Sequence, residues 1–477
     1  MSTSVRFSRT CALVVIALVA SVARAQDGDV PREDGVIDAW ARAIAEGSMP
    51  RWTGPRVAWT EPTPRPADDA LVARSWRAPV AVHGADEARV ATTLRALETA
   101  HAWMASNGWG EPHSDGGRGG GDELDVYLVD ALPAAGRFEE PEAAPGESDE
   151  VPPRWVRVGW DVPIAWASLD AVTSFATIDA RSADLASCAV YAYAQAVLAQ
   201  QDPAEAPAWR RAIGAFVAWQ VTGSFGCAED AIAAQQAAAH RGLVSHAPGS
   251  GEGGAMLLGA ISARHDGGSG DFVRDLVQGA RQWTWEGEGL RAEPDVWHAV
   301  AHFLSLSRTR GTWPRLLEEV AVARYFTGPR AGLGAGAIAM MRDVPGEVPV
   351  ARVEWARLPR SPYRGELELE PGGSAYVRVD VRGAPEGSRL RVWLRGEHGV
   401  TWSMVAVRLD ASGRELGRMR TPIRREPRAY LPIELDASVA EVLVVITNVS
   451  WRRPDADEPD ENVRGFRVVV DRAAESD

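Results

Sequence analysis

Apolar residues recur at steps of three and four through much of the first 340 positions, and at steps of two after that. From about Leu71 to Met341 the spacing predicts a mainly helical region. Ala88 to Ser106 places Val90, Leu94, Leu97, His101 and Met104 near one face and closes at Asn107-Gly108. A helical hairpin follows between Ala183 and Cys227. Its first helix carries Leu185, Cys188, Ala189, Ala192 and Ala196 on one face, and its second carries Trp209, Ile213, Phe216, Val217 and Gln220. Pro203 and Pro207 separate the two helices, and Gly223 is a suitable C-cap. Further helices are predicted at Glu229–His240, Ala255–His265, Asp295–Leu306 and Trp313–Phe326, with another capped by Asp271.

Two apolar strands interrupt this pattern, Leu124–Val129 and Ser174–Asp179. From Pro349 to Asp471 alternation dominates, in Tyr376–Val381, Leu390–Leu394, Trp402–Leu409, Val442–Ile446 and Phe466–Val470. Short strands at this spacing, parted by turns such as Asp410-Ala-Ser-Gly413, predict an antiparallel β-sandwich.

The first residues change the setting. Arg6 and Arg9, an apolar run from Cys11 to Ala20 and Ala23-Arg24-Ala25 fit a secretory signal peptide over residues 1–25, cleaved before Gln26. Residues 26–70 then read as a polar, Pro-rich lead-in with one amphipathic helix at Val36–Glu46. The apolar run is too short to span a membrane, and no later segment is long enough. Export leaves Cys188 and Cys227 in an oxidising compartment, where an even count favours a disulfide over a metal site or a nucleophile.

Charge narrows the partners. The net charge is −14, and removing a segment with three arginines and no acid makes the mature chain more negative still. That argues against nucleic acid or an anionic membrane as partner and leaves a protein or glycan partner open. All 51 basic residues are arginine, which excludes lysine chemistry, including Schiff bases and a phosphate-binding P-loop.

Candidate chemistry is sparse. Asp115-Gly-Gly-Arg-Gly-Gly-Gly-Asp122 lacks both phosphate-loop and dinucleotide spacing, and as a single copy reads as a connector rather than a calcium repeat. His298-Ala-Val-Ala-His302 puts two imidazoles at i and i+4, a spacing zinc can bridge, with Glu318 and Glu319 on the next helix as further ligands. Ala299 stands where HExxH enzymes carry the base. No GxSxG elbow is present, and His83, His101, His113, His240, His246, His265 and His398 are scattered singly. The acidic loop Asp455 to Glu461 lacks EF-hand spacing. Arg389, Arg391 and Arg395 alternate outward, while Trp109, Trp283, Trp285, Trp393, Trp402 and Trp451 are candidates for core or sugar stacking.

The order of parts resembles that of secreted metallopeptidase-like proteins of myxobacterial type. Asp125-Val-Tyr-Leu128, the strand around Phe175 to Ile178, Gln195, Trp209 and the C-terminal strands carry the likeness. In that family a DVYL-type strand leads to an HExxH helix, then a Trp-x-x-Glu helix and a β-sandwich. The HExxH positions fall here on Cys188-Ala-Val-Tyr-Ala192, and the Trp-x-x-Glu acid falls on Ala212. The resemblance therefore implies an α+β, multidomain chain. Residues 71–343 form a mainly helical, degenerate zincin-like domain with a small sheet, and residues 344–477 form a β-sandwich. It further implies an exported, non-catalytic protein of the periplasm, envelope or medium, without catalytic residues or cofactor. The alternative is a divergent zinc hydrolase using His298, His302 and Glu318 or Glu319.

Overall fold

The fold is taken from a computed structural model. It describes residues 57–58, 66, 71–112, 120–130, 156–157, 166–167, 175–202, 205–243, 245, 251–281, 283–286, 289–292, 295–297, 299–300, 313–335, 338–358, 361–423, 427–450 and 463–472. Residues 1–25, predicted as a signal segment, most of the Pro-rich lead-in, His298, His302 and the acidic loop after Trp451 lie outside the described residues.

The chain is α+β. After β1 (Val57–Ala58), its first layer is a four-stranded sheet in the order β2-β3-β4-β7, formed by β2 (Leu71–Arg74), β3 (Val80–Gly84), β4 (Leu124–Val129) and β7 (Phe175–Asp179). The alternation predicts β4 and β7, whereas β2 and β3 sit in a stretch whose spacing predicts helix. β2 runs antiparallel to β3, and β3, β4 and β7 run parallel. Parallel neighbours need a crossover, and α1 (Glu87–Ser106) supplies it between β3 and β4. Val82, Leu124, Val126 and Ile178 turn one sheet face towards the helices and are wholly buried.

The hairpin forms α2 (Leu185–Gln201) and α3 (Pro207–Thr222), the latter closed by Gly223 in the left-handed region. Only one face of α2 is predicted to be apolar, yet every residue from Ser187 to Ala199 is buried. Alanine on all sides lets the sheet, α1 and α3 approach α2 together, as expected of a helix apolar all round. After α4 (Glu229–Ala237), α5 (Gly254–His265) is similarly enclosed. In α6 (Asp271–Ala280) the N-cap is Gly270 rather than Asp271. The Asp266 carboxylate does the capping instead, accepting from Gly268, Ser269 and Phe272 backbone N–H groups. Beyond it, β8 (Trp283–Glu286) and β9 (Gly289–Ala292) form a hairpin not predicted by the spacing, with β1 along β9. β5 (Val156–Arg157) and β6 (Trp166–Ala167) form another small pair.

The last α-helix among the described residues is α7 (Trp313–Tyr325), and two sheets follow it. Sheet I has the order β10-β12-β17-β14-β15, with β10 (Ala351–Glu354), β12 (Ser374–Asp380), β14 (Trp402–Leu409), β15 (Glu415–Arg420) and β17 (Glu441–Asn448). Sheet II has the order β11-β18-β13-β16, with β11 (Tyr363–Leu369), β13 (Arg389–Gly396), β16 (Arg428–Glu434) and β18 (Arg464–Arg472). Their facing residues, among them Val379, Val392, Met404, Val444 and Val468, form one apolar cluster. Sheet I departs from the antiparallel arrangement that the alternation predicts. β10 runs parallel to β12, because β11 between them in sequence crosses to sheet II.

The other face of sheet I is buried too. Tyr376, Val405, Val407, Leu443 and Val445 pack with Ala321, Val322, Tyr325 and Phe326 of the α7 region. The Tyr376 hydroxyl donates to the Ala321 carbonyl at 2.8 Å. Ser374 N–H donates to the Ala239 carbonyl at 2.7 Å, and a Cβ at neighbouring Gly373 would strike the His240 carbonyl. Only glycine permits that backbone approach.

Candidate functional site

The hairpin holds the positions at which the resemblance places zinc chemistry. Cys188 is wholly buried and bonded to Cys227, with their Cα atoms 5.0 Å apart. Ala192 and Ala212 are buried methyl groups at the helix contact. The same end of α2 is tied by hydrogen bonds. The Ser187 and Thr222 hydroxyls are 2.7 Å apart, and Gly226 at φ +55° brings the chain against Ser187 and Cys188.

Asp184 caps α2, accepting from Ser187 N–H at 3.1 Å and from the Ser224 hydroxyl at 2.7 Å. Its burial raises the carboxyl pKa, but the hydrogen bonds from Ser224 and Ser187 outweigh this and hold it below its ordinary 3.8. A depressed acid stabilises the fold above its unfolded pKa, and that contribution is lost as pH falls through the folded value. Asp184→Ala is expected to cost about 1 kcal/mol at pH 7. Urea unfolding should show the gap to the unmodified chain narrowing at pH 3 and below; a gap independent of pH would exclude the ionised cap.

The polar side chains of this layer are buried next to one another. The Tyr191 hydroxyl donates to Glu252 Oε1 at 3.2 Å, and Arg211 Nε lies 3.7 Å from the same oxygen. Burial, then the Glu252 charge, drives the Tyr191 phenol far above its usual range. Burial pulls Arg210 down to about 10 against the attraction of Glu205 and Asp202, so it stays a cation at neutral pH. Glu205 accepts from the Ala206 and Val296 N–H groups, pinning the segment after β9 to the hairpin. Trp209, Trp297 and Trp313 extend that junction, with the last two rings 4.6 Å apart. This network braces helices, with Tyr191 kept as the neutral phenol and Arg210 as the cation near neutral pH.

The two acids of the alternative zinc set part company. Glu318 is buried beneath sheet I, with Arg315 at 2.7 Å, Arg420 at 3.3 Å and the Ser403 hydroxyl on its carboxylate. Glu319 pairs with Arg264 at 2.7 Å and lines a cavity of about 430 Å³. Leu316, Phe326, Ile338 and Met341 make its wall apolar, and Arg342 and Arg418 stand on its rim. Its size suits a small ligand. Its charged groups, however, largely satisfy one another, since Arg418 is occupied by Glu415 and the Ala335 carbonyl. Among the described residues no cluster of three His, Cys, Asp or Glu side chains could hold a metal ion, and no helix is long and apolar enough to cross a membrane.

Two arrangements escape the sequence reading. His83 Nε2 lies 2.8 Å from Asp125 Oδ1, both buried, and the imidazole stacks on Tyr127 at 4.3 Å. The pairing of β3 with β4 brings them together, so without β3 in view His83 reads as a lone residue. On sheet II, Trp393 and Tyr430 stand as a tilted aromatic pair 5.3 Å apart, half-exposed and exposed respectively. Trp109 and Trp402 are core residues, and the exposed Trp76 near β2 sits under the Arg77 guanidinium. Trp451 lies outside the described residues.

No protein-family model matches the chain, and no curated protein matches it. Solved structures give limited likenesses. The Yersinia pseudotuberculosis-derived mitogen shares 10% identity over 24% of this chain and 90% of its own, at TM-score 0.18. The enzymatically active domain of bacteriophage CBA120 tailspike protein 4 shares 10% over 24% and 18%, at 0.17. The insecticidal delta-endotoxin Cry8Ea1 of Bacillus thuringiensis shares 13% over 24% and 20%, at 0.13. Likenesses at this level carry no functional argument.

Proposed function

We propose that the chain is an exported, non-catalytic binding protein built on a degenerate metallopeptidase-like scaffold, acting in the envelope or outside the cell. In this reading residues 1–25 are removed, 71–343 form the zincin-like part, and 344–477 form a β-sandwich from sheets I and II. The observation that carries it is the hairpin. Where the scaffold would place zinc ligands and a base, the chain has a disulfide-bonded cysteine and buried alanines at 188, 189, 192 and 212. Alanine can neither ligate zinc nor activate water, and a disulfide sulfur is no longer a thiolate ligand. The buried Tyr191–Glu252–Arg211 network between the helices supports a rigid scaffold.

The test is the metal content and free-thiol count of the purified mature chain, with its N-terminal residue determined. The expected result is substoichiometric zinc, no thiol reactive after denaturation without reductant, and a chain beginning at Gln26. Stoichiometric zinc that is lost in His298→Ala would overturn the reading and establish a divergent zinc site.

A further inference from the structure

Sheet II turns one face to solvent, and its register sets three arginines abreast. Arg467 of β18 pairs with Arg395 of β13, and Arg395 pairs with Arg428 of β16. All three are exposed. With strands about 4.8 Å apart, the row spans roughly 10 Å. Like charges directly opposite one another oppose strand pairing. A chain of net charge −14 has acids to spare for that row, yet only Arg467 is paired, with Glu366 of β11. Arg395 and Arg428 have no acidic partner among the described residues.

The adjoining rows show what chemistry this face accepts. Arg391 binds the Asp471 carboxylate at 2.8 Å, and Arg389 binds that of Glu434 at 2.7 Å. Guanidinium–carboxylate pairing is thus the repeating contact of the surface, with Arg395 and Arg428 as its unmatched members. Beside them in the next row stand Trp393 and Tyr430, and the Arg391 guanidinium lies 5.0 Å from the Trp393 ring. Aromatic rings on an open sheet offer flat apolar area to the C–H face of a sugar, while the arginine forks take carboxylates.

We infer that this face binds a uronic-acid polysaccharide, laid across β18, β13 and β16, with its carboxylates on Arg395 and Arg428 and a ring against Trp393 and Tyr430. The inference deepens the binding-protein reading by naming the partner's class, and rests on it. The neutralising charge would come from the partner: the net charge of −14 disfavours anionic partners over most of the surface, and this arginine row is the local exception to it.

The experiment is isothermal titration of the whole mature chain with polygalacturonate, with neutral dextran, dextran sulfate and single-stranded DNA as comparators. Polygalacturonate should bind, more weakly as salt rises, and dextran should not. Arg395→Glu with Arg428→Glu should lower affinity by about tenfold or more, and Trp393→Ala by about tenfold. In the single variant Arg395→Glu the new carboxylate lies between Arg467 and Arg428, so that variant should lose affinity while its melting temperature holds or rises, separating lost binding from lost folding. The inference is overturned if polygalacturonate does not bind, or if the charge reversals leave its affinity unchanged. Tighter binding of dextran sulfate would move the partner to a sulfated glycan. Equal binding of DNA without dependence on Trp393 would reduce the face to a generic polyanion contact. Zinc content does not enter this test, so the scaffold reading and the partner class fail separately.

Discussion

A chain carrying Cys188→Ala and Cys227→Ala is expected to be less stable than the bridged protein by about 4 kcal/mol, the loop-closure value for this span. The two cysteines are 39 residues apart in sequence, and the bridge closes both helices of the hairpin into one loop. The effect falls chiefly on the unfolded chain. In the fold, the same end of α2 stays held by Asp184, Ser187, Thr222 and Ser224 without the bridge. Folded structure should therefore survive in the variant, with the urea midpoint moved down. Reducing the unmodified chain should reproduce the shift, and a reduced chain as stable as the oxidised one would refute it.

Arg324→Ala is expected to cost about 3–5 kcal/mol. Arg324 is wholly buried on α7, and burial depresses its pKa against a weaker opposing pull from the Tyr376 phenol. Its guanidinium is held by neutral oxygens, with Nε donating to Gln236 Oε1 at 2.7 Å and Nη2 to the Gln235 carbonyl at 2.9 Å. Truncation removes those donors and opens a cavity between α4, α7 and sheet I. Arg324→Met fills the space without burying a charge and should cost less, about 1–3 kcal/mol for the acceptors left unmatched. Thermal melts of the two variants decide between these terms. Methionine as harmful as alanine would show that the hydrogen bonds, rather than volume, hold this junction.

How legible this was depends on the range of the interactions. The helices around Val90, Phe216 and Val320 announce themselves by local period, and the strands at 402–409 and 441–448 by alternation and branched residues. β2, β3, β8 and β9 are four or five residues long and lie among helix-like spacing, so no window isolates them. The disulfide follows from counting cysteines. The arginine row does not follow from counting arginines, because Arg395, Arg428 and Arg467 meet only through the register of three strands distant in sequence. His83 and Asp125 are likewise 42 residues apart and joined only by strand pairing.

Sheet I, apolar on both faces, makes the order of synthesis matter. As the chain is made from its N-terminus, α7 and the residue after it emerge with Ala321, Val322, Tyr325 and Phe326 uncovered by the strands they pack on, which are not yet made. Tyr376 arrives 55 residues after the Ala321 carbonyl it binds, and Leu443 and Val445 arrive later again. A nascent chain stopped before β17 thus presents a sticky, half-built surface for as long as translation takes to finish it. Its last strands decide when its middle can fold, so fragments ending between α7 and β17 are expected to aggregate more readily than the whole chain.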